Sequence, residues 1–451
     1  MLDLLKSRVL YIIILVGSVI ATFLVTALLV NIFERKEEGK NPFVQVVAIE
    51  EYETDPAVWG YNFPDQYDGW RHTKDNYGKT EFGGSEQRDK LSENPRLKIL
   101  YAGYSFSIEY KEERGHGWAL TDVVNIKRLG DTKPGTCMTC KSSDNVRMWH
   151  EMGPEKFYLT PMKDLLVHAK NPISCLNCHD SGTMEIRPAN PAFLEAMKER
   201  NIDLSKASRQ EMRTYACSQC HVEYYFESNE KPILHFPWKN GLTLDDIEKY
   251  YDEISFYDWV HPDSGTELIK IQHPEFEFWS TGIHSRSGVS CADCHMPFKR
   301  IGSQKISDHW VRSPLVNIAY SCQTCHRWDE NELKERVLNI QRKTKKLIDQ
   351  SELAIIDAIN AIKSAKDAGV DNKSLEEARK LHRRAQLRWD FISSENSMGF
   401  HSSQEAARLL GEAIDFARQS QISAMKAMEN KGKSVSSTVD KKGNIALPPF
   451  R

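Results

Sequence analysis

Several function classes are excluded by what this chain lacks. It has no basic excess: 60 Lys and Arg stand against 63 Asp and Glu, a formal net charge of -3. The strong positive footprint of a nucleic-acid binder is therefore missing, and no nucleic-acid partner is expected. Wholesale disorder does not fit a composition that is 10% aromatic and 40% hydrophobic. Beyond one short cysteine motif no sequence repeat is visible, so a solenoid is not indicated. No cysteine is left unpaired in the sequence, and none is scattered in the way that closes long loops in a disulfide framework.

What is present is concentrated. The ten cysteines form five pairs with two residues between partners: Cys137/Cys140, Cys175/Cys178, Cys217/Cys220, Cys291/Cys294 and Cys322/Cys325. Four pairs run directly into histidine, giving His179, His221, His295 and His326. C-x-x-C-H is the attachment site of c-type haem: two thioethers anchor the porphyrin, and the adjacent imidazole reaches the iron axially. A tetrahedral zinc site and a redox dithiol are the competing readings of C-x-x-C. Neither explains four histidines at the same place. The first pair differs, because Cys140 is followed by Lys141. An amine coordinates only when deprotonated, so the metal must hold its pKa down. An exceptional proximal ligand of this kind suggests a haem at which chemistry occurs; the alternatives for Cys137/Cys140 are a pair that lost its histidine and a small disulfide.

Residues 9–30 form a charge-free run of 22 residues. At 1.5 Å per residue it is long enough for a bilayer core of about 30 Å. A signal-peptide apolar region is usually about 7–15 residues, so an uncleaved anchor is the preferred reading over a cleaved signal. Thioether formation needs export, which agrees with that run. Everything after residue 40 reads as soluble. From 41 to about 114 the chain is aromatic and irregular. Helical periodicity begins after His326, over 331–368, with Gly369 as a stop. Ser374/Glu377 and Ser402/Glu405 read as capping boxes, opening a second helix to about Ile392 and a third to about Asn430. The expected organisation is 1–40 anchor and flank, 41–330 five-haem catalytic region, 331–431 long helices for packing and dimerisation, and 432–451 polar tail.

One C-x-x-C-K with four C-x-x-C-H resembles the pentahaem cytochrome c nitrite reductases, the ammonia-forming family. The resemblance extends over about 65–410 and is carried by Arg114-Gly-His116, Thr121-Asp122-Val123, Cys217 to Phe226, Lys270-Ile-Gln272-His273, Gly282-Ile-His284, Asp308-His309 and Arg388-Trp389-Asp390. It implies a mainly α-helical globule around five covalent haems, with long C-terminal helices that build a homodimer. It implies six-electron reduction of nitrite to ammonium at the Lys141 haem, in a distal pocket of Arg128, Tyr224 and His273. It implies distal axial ligands His116 for the third haem, His284 for the fifth, His309 for the second and His401 for the fourth. His72, His150, His168, His235, His261 and His382 then remain as surface or hydrogen-bonded residues. A calcium ion is implied, held by the Glu223 carboxylate, the Tyr224 and Lys270 carbonyls and the Gln272 amide oxygen, all hard donors. The implied electron donor is a membrane quinol dehydrogenase cytochrome, and the implied location is the periplasmic side of the cytoplasmic membrane. Two alternatives stay open from the residues alone: an electron-transfer-only multihaem cytochrome, and a hydroxylamine-type oxidoreductase.

Overall fold

The computed structural model describes residues 2–38, 45–111, 114–130, 133–228, 230–302 and 304–432. Among these residues the protein is mainly helical, and its only strands are three two-stranded antiparallel hairpins. We label the helices of ten residues or more: α1 (Leu2–Glu38), α2 (Arg209–Ser218), α3 (Leu244–Glu253), α4 (Glu330–Asp367), α5 (Glu376–Ser394) and α6 (Ser403–Asn430). The hairpins are β1 (Tyr225–Phe226) with β2 (Leu234–His235), β3 (Trp259–Val260) with β4 (Glu267–Leu268), and β5 (Phe298–Ile301) with β6 (Gln304–Ser307). The expected polar tail lies, from residue 433 on, outside the described residues.

Helix α1 carries the apolar run. Its stretch Arg8–Glu34 is long and apolar enough to cross a membrane, and its large hydrophobic side chains are exposed. Between α1 and α4 the chain is built from short helices and turns, several ending at the cysteine motifs. Four capping boxes occur here. Ser208 and Glu211 cap α2 reciprocally, Thr243 and Asp246 do the same for α3, and Ser174/Asn177 and Ser290/Asp293 cap the short turns that begin at Cys175 and Cys291. Each satisfies amides that would otherwise lack partners at the helix start.

The C-terminal helices pack on one another along a shared apolar seam. From α4, Ile348, Ala354, Ile355 and Ile359 meet Leu387 and Ile392 of α5 and Leu409, Leu410, Ala413 and Ala417 of α6. The small residues of α6 allow a close approach of helix axes, since interaxial distance follows the side chains at the contact. Gly369, at φ +77°, turns the chain at the end of α4. The two predicted capping boxes are not formed. The Ser374 hydroxyl instead donates to Asp371 Oδ2 at 2.9 Å, and α5 begins two residues later. Ser402 does precede α6, but its hydroxyl accepts from Thr281 Oγ1 at 2.9 Å, while Glu405 pairs with Arg408. In both cases a tertiary or neighbouring partner outcompeted the local cap. A second apolar cluster (Trp59, Met138, Phe157, Phe193 and Trp238 among its members) surrounds the first motif. Val337 and Ile340 of α4 are half-buried and line a large internal cavity.

Candidate functional site

That cavity, about 1710 Å³, is the dominant feature of the molecule, and its walls are mostly apolar. All ten motif cysteines line it. So do Lys141 and nine of the fifteen histidines: His116, His179, His221, His273, His284, His295, His309, His326 and His401. The six histidines without an assigned role lie elsewhere. His261 and His382, for example, are buried and bonded to Ile99 O and Thr266 Oγ1, each at 2.9 Å.

The cysteines make no disulfide. Burial pushes the thiols of Cys175, Cys178 and Cys294 up to about 12 and that of Cys137 to about 11, so none of these has the character of a reactive dithiol. A zinc site needs four converging ligands, and among the described residues no group of three or more His, Cys, Asp or Glu converges in that way. Neighbouring motifs instead touch one another. Cys220 is beside Cys140, Cys217 beside Cys291, and the Cys294 thiol feels Cys322. The attachment points form one continuous array.

Three histidine pairs face each other across this space. His179 and His309 have ring centres 6.2 Å apart; for His284 with His326 and for His295 with His401 the separation is 6.3 Å. Two metal–imidazole bonds of about 2 Å each plus two ring radii come to roughly 6 Å, so each pair has the spacing of two axial ligands on one iron. His116, the partner expected for His221, is pushed down to about 4 by burial first and then by His221 and Lys141. Outer hydrogen bonds orient the rings. Nδ1 of His179 faces Met184 O at 2.9 Å, Nδ1 of His309 faces Ser307 O at 2.9 Å, and Nδ1 of His295 faces Arg312 O at 3.1 Å, leaving Nε2 toward the cavity. The donor set and the contiguous array fit covalently held haem. The backbones that carry these ligands approach closely. A Cβ on Gly282 would collide with the His401 carbonyl, so only glycine allows the His284 turn to sit against the His401 turn.

Around the first motif the cavity wall changes character. Arg128, Tyr224, His273 and Gln272 line it, whereas Lys127 is exposed and does not. Glu109 Oε2 accepts from the backbone N–H of both Lys127 (2.6 Å) and Arg128 (3.0 Å), fixing this turn. The Arg128 guanidinium lies 4.2 Å from the Phe106 ring centre, and its buried Nε has no hydrogen-bond partner. Its charge and that of Lys141 both act on the Cys137 thiol. Burial holds His273 well below the usual histidine range, and Lys141 is the largest charge acting with it. Tyr104 was not anticipated. It is half-buried in reach of both Arg128 and Tyr224, and loss of solvent raises its phenol well above the normal range. Nothing in its local sequence distinguishes it from a packing aromatic.

Behind the wall lies a concentrated set of oxygen donors. Glu223 is fully buried; its Oε1 accepts from Tyr251 OH at 2.8 Å and its Oε2 from Gln272 N at 2.6 Å. Gln272 Nε2 donates to Lys270 O at 3.0 Å, and Asp258 accepts from Lys270 N at 2.8 Å. Burial and mutual repulsion push Glu223 well above the carboxylate range, Asp258 up to about 7 and Glu277 up to about 8. Buried carboxylates and carbonyls in this arrangement fit a hard divalent cation. The Lys270 ammonium points away from them, into a buried pair with Asp390 of α5 at 3.1 Å. Asp258, Tyr251, Glu277 and Asp390 were not singled out as site residues from sequence; Asp390 lies 120 residues from Lys270 in the chain.

Comparison with known proteins agrees with this geometry. The cytochrome c552 family model matches residues 55–448. Cytochrome c-552 of Porphyromonas gingivalis is 38% identical over 92% of this chain and 85% of its own length. Cytochrome c-552 of Aliarcobacter butzleri is likewise 38% identical, over the same shares. The cytochrome c nitrite reductase catalytic subunit of Desulfovibrio desulfuricans, a structure described in terms of its two calcium sites, superposes with a TM-score of 0.80 at 33% identity, covering 85% of this chain and 88% of that one. The chain belongs to the cytochrome c552 family and is a homologue of the catalytic subunit of cytochrome c nitrite reductase.

Proposed function

We propose that this protein reduces nitrite to ammonium by six electrons, without releasing intermediates, as a respiratory nitrite-ammonifying enzyme. The observation that carries the reading is the juxtaposition of Lys141 with Arg128, Tyr224 and His273 on one stretch of cavity wall. Cys137, Cys140 and Lys141 would hold a haem, which would supply the metal for anion binding and the electrons for reduction. Arg128 attracts nitrite with a fixed cation and donates hydrogen bonds to its oxygens as negative charge builds there during N–O cleavage. Tyr224 and His273 hold exchangeable protons in a dry pocket and pass them to a reaction that consumes many. Glu223, the carbonyls of Tyr224 and Lys270 and the Gln272 amide would hold calcium, which would tie Tyr224 and His273 to one rigid point. His179/His309, His221/His116, His295/His401 and His326/His284 would each hold one further haem, and a centre with two histidine ligands would serve electron relay.

Five haems, a homodimer built on α4–α6, anchoring by α1 on the periplasmic side and a membrane quinol dehydrogenase cytochrome as donor complete the proposal. The region 41–330 then acts as the catalytic unit and 331–431 as the packing and dimerisation unit. The test is stoichiometric. Purified protein with a chemical reductant should convert nitrite quantitatively to ammonium, and accumulation of nitric oxide or hydroxylamine would reject the assignment.

A further inference from the structure

Three of the cavity-facing histidines turn Nδ1 to a main-chain carbonyl, a neutral acceptor. His401 differs. Its Nδ1 lies 2.6 Å from Glu395 Oε1, approached off the N–H axis, and the Glu395 side chain is fully buried. The carboxylate is built into the turn between α5 and α6. Its Oε1 accepts from Ser397 N at 2.9 Å, and its Oε2 accepts from Ser397 Oγ at 2.8 Å and Gly399 N at 3.3 Å. The Ser397 hydroxyl in turn accepts from His401 N at 2.9 Å, so the turn locks acid and imidazole together. Gly399 has φ +81°, and Thr344 of α4 occupies the space a side chain there would need. A second buried carboxylate, Glu275, stands nearby, tied by Asn396 Nδ2 at 2.6 Å to the same turn.

An imidazole with a carboxylate against its Nδ1 is more basic at its other nitrogen, and a more basic axial ligand favours the oxidised metal. We propose that Glu395 is a positioning residue for the fourth haem. It holds His401 in place and, through the His401 ring, sets the midpoint potential of the His295/His401 centre lower than a carbonyl acceptor would. The proposal rests on His295 and His401 being an axial pair, and is independent of nitrite as substrate. Its consequence is a centre inside the array that gives up an electron more readily than its ligand type alone would dictate.

The experiment is a spectroelectrochemical titration of the five-haem protein, followed by visible bands and low-spin EPR. In Glu395→Gln the midpoint of one low-spin centre should move positive by at least tenfold in electron affinity, about 59 mV for one electron, with the other three unmoved. Glu395→Asp keeps the charge at a longer reach and should move the same centre the same way by less. If the Gln variant fails to assemble five haems, the Asp variant decides alone. Unchanged midpoints with all low-spin signals intact, or a negative shift, would overturn the proposal. His401→Ala, titrated alongside, separates the two readings. It should convert one low-spin centre to high spin, and no conversion rejects the axial pair itself.

Discussion

The buried pair Lys270–Asp390 gives the sharpest stability test. Both side chains are essentially excluded from water, at 1% and 0% exposure, with 3.1 Å between Nζ and Oδ1. Asp390 also accepts from Ile271 N at 2.9 Å, from Ser394 Oγ at 2.9 Å and from Tyr101 OH, so one carboxylate of α5 pins the segment leading to Gln272 and His273. Asp390→Asn keeps the shape and an acceptor for Ile271 but leaves the Lys270 ammonium buried without a counter-charge, facing Ile271 O, Ser394 Oγ and the rings of Tyr101, Phe106 and Tyr110. Removing one partner of a buried ion pair costs about 3–5 kcal/mol, and that is the expected loss of unfolding free energy in guanidinium melts followed by far-UV circular dichroism. Combining it with Lys270→Met removes the stranded charge, so the double variant should recover at least about 2 kcal/mol of that loss. Nitrite turnover should fall as well, because a displacement of about 1 Å at His273 is worth roughly 10²-fold. A single-variant loss below about 1 kcal/mol, or strict additivity in the double variant, would refute the reasoning.

Three further outcomes are expected. Arg128→Gln should lower kcat for nitrite by about 10²-fold with five haems retained, as measured by steady-state ammonium production; near-normal turnover would shift the role to another cation such as Lys127. Glu223→Gln, or prolonged treatment of the native protein with a calcium chelator, should depress turnover while leaving the four low-spin EPR signals in place; insensitivity to both would remove calcium from the site. His382, fully buried against Thr266 and pushed down to about 3 by burial and then by His261, stabilises the fold only while neutral. Its folded pKa lies below the unfolded value of 6.5, so its contribution is complete above pH 6.5 and declines toward pH 3 at about 1.4 kcal/mol per pH unit. Unfolding free energies of the native protein and His382→Gln should therefore converge between pH 7 and 5.5, and parallel curves would contradict this.

The chain's local pattern determined what depends on near neighbours. Haem attachment was legible because two thioethers and an axial ligand need residues within a five-residue window, and Lys141 stood out against four histidines by position alone. The apolar period of α4 and the stop at Gly369 follow from backbone geometry in the same way. Distal histidines and the Arg128 pocket came from family resemblance, and local pattern could not have chosen His401 over His382. Only the fold shows that His401 faces His295 across the cavity, while His382 is bonded to Thr266 in the core. It also decided that Ser374 and Ser402 spend their hydroxyls on Asp371 and Thr281, and that Glu223, Asp258 and Glu277 gather behind the active wall. The physical reason is separation along the chain. Lys270 and Asp390 lie 120 residues apart, and only packing of α5 against the 270–273 segment makes one buried carboxylate the partner of one buried ammonium.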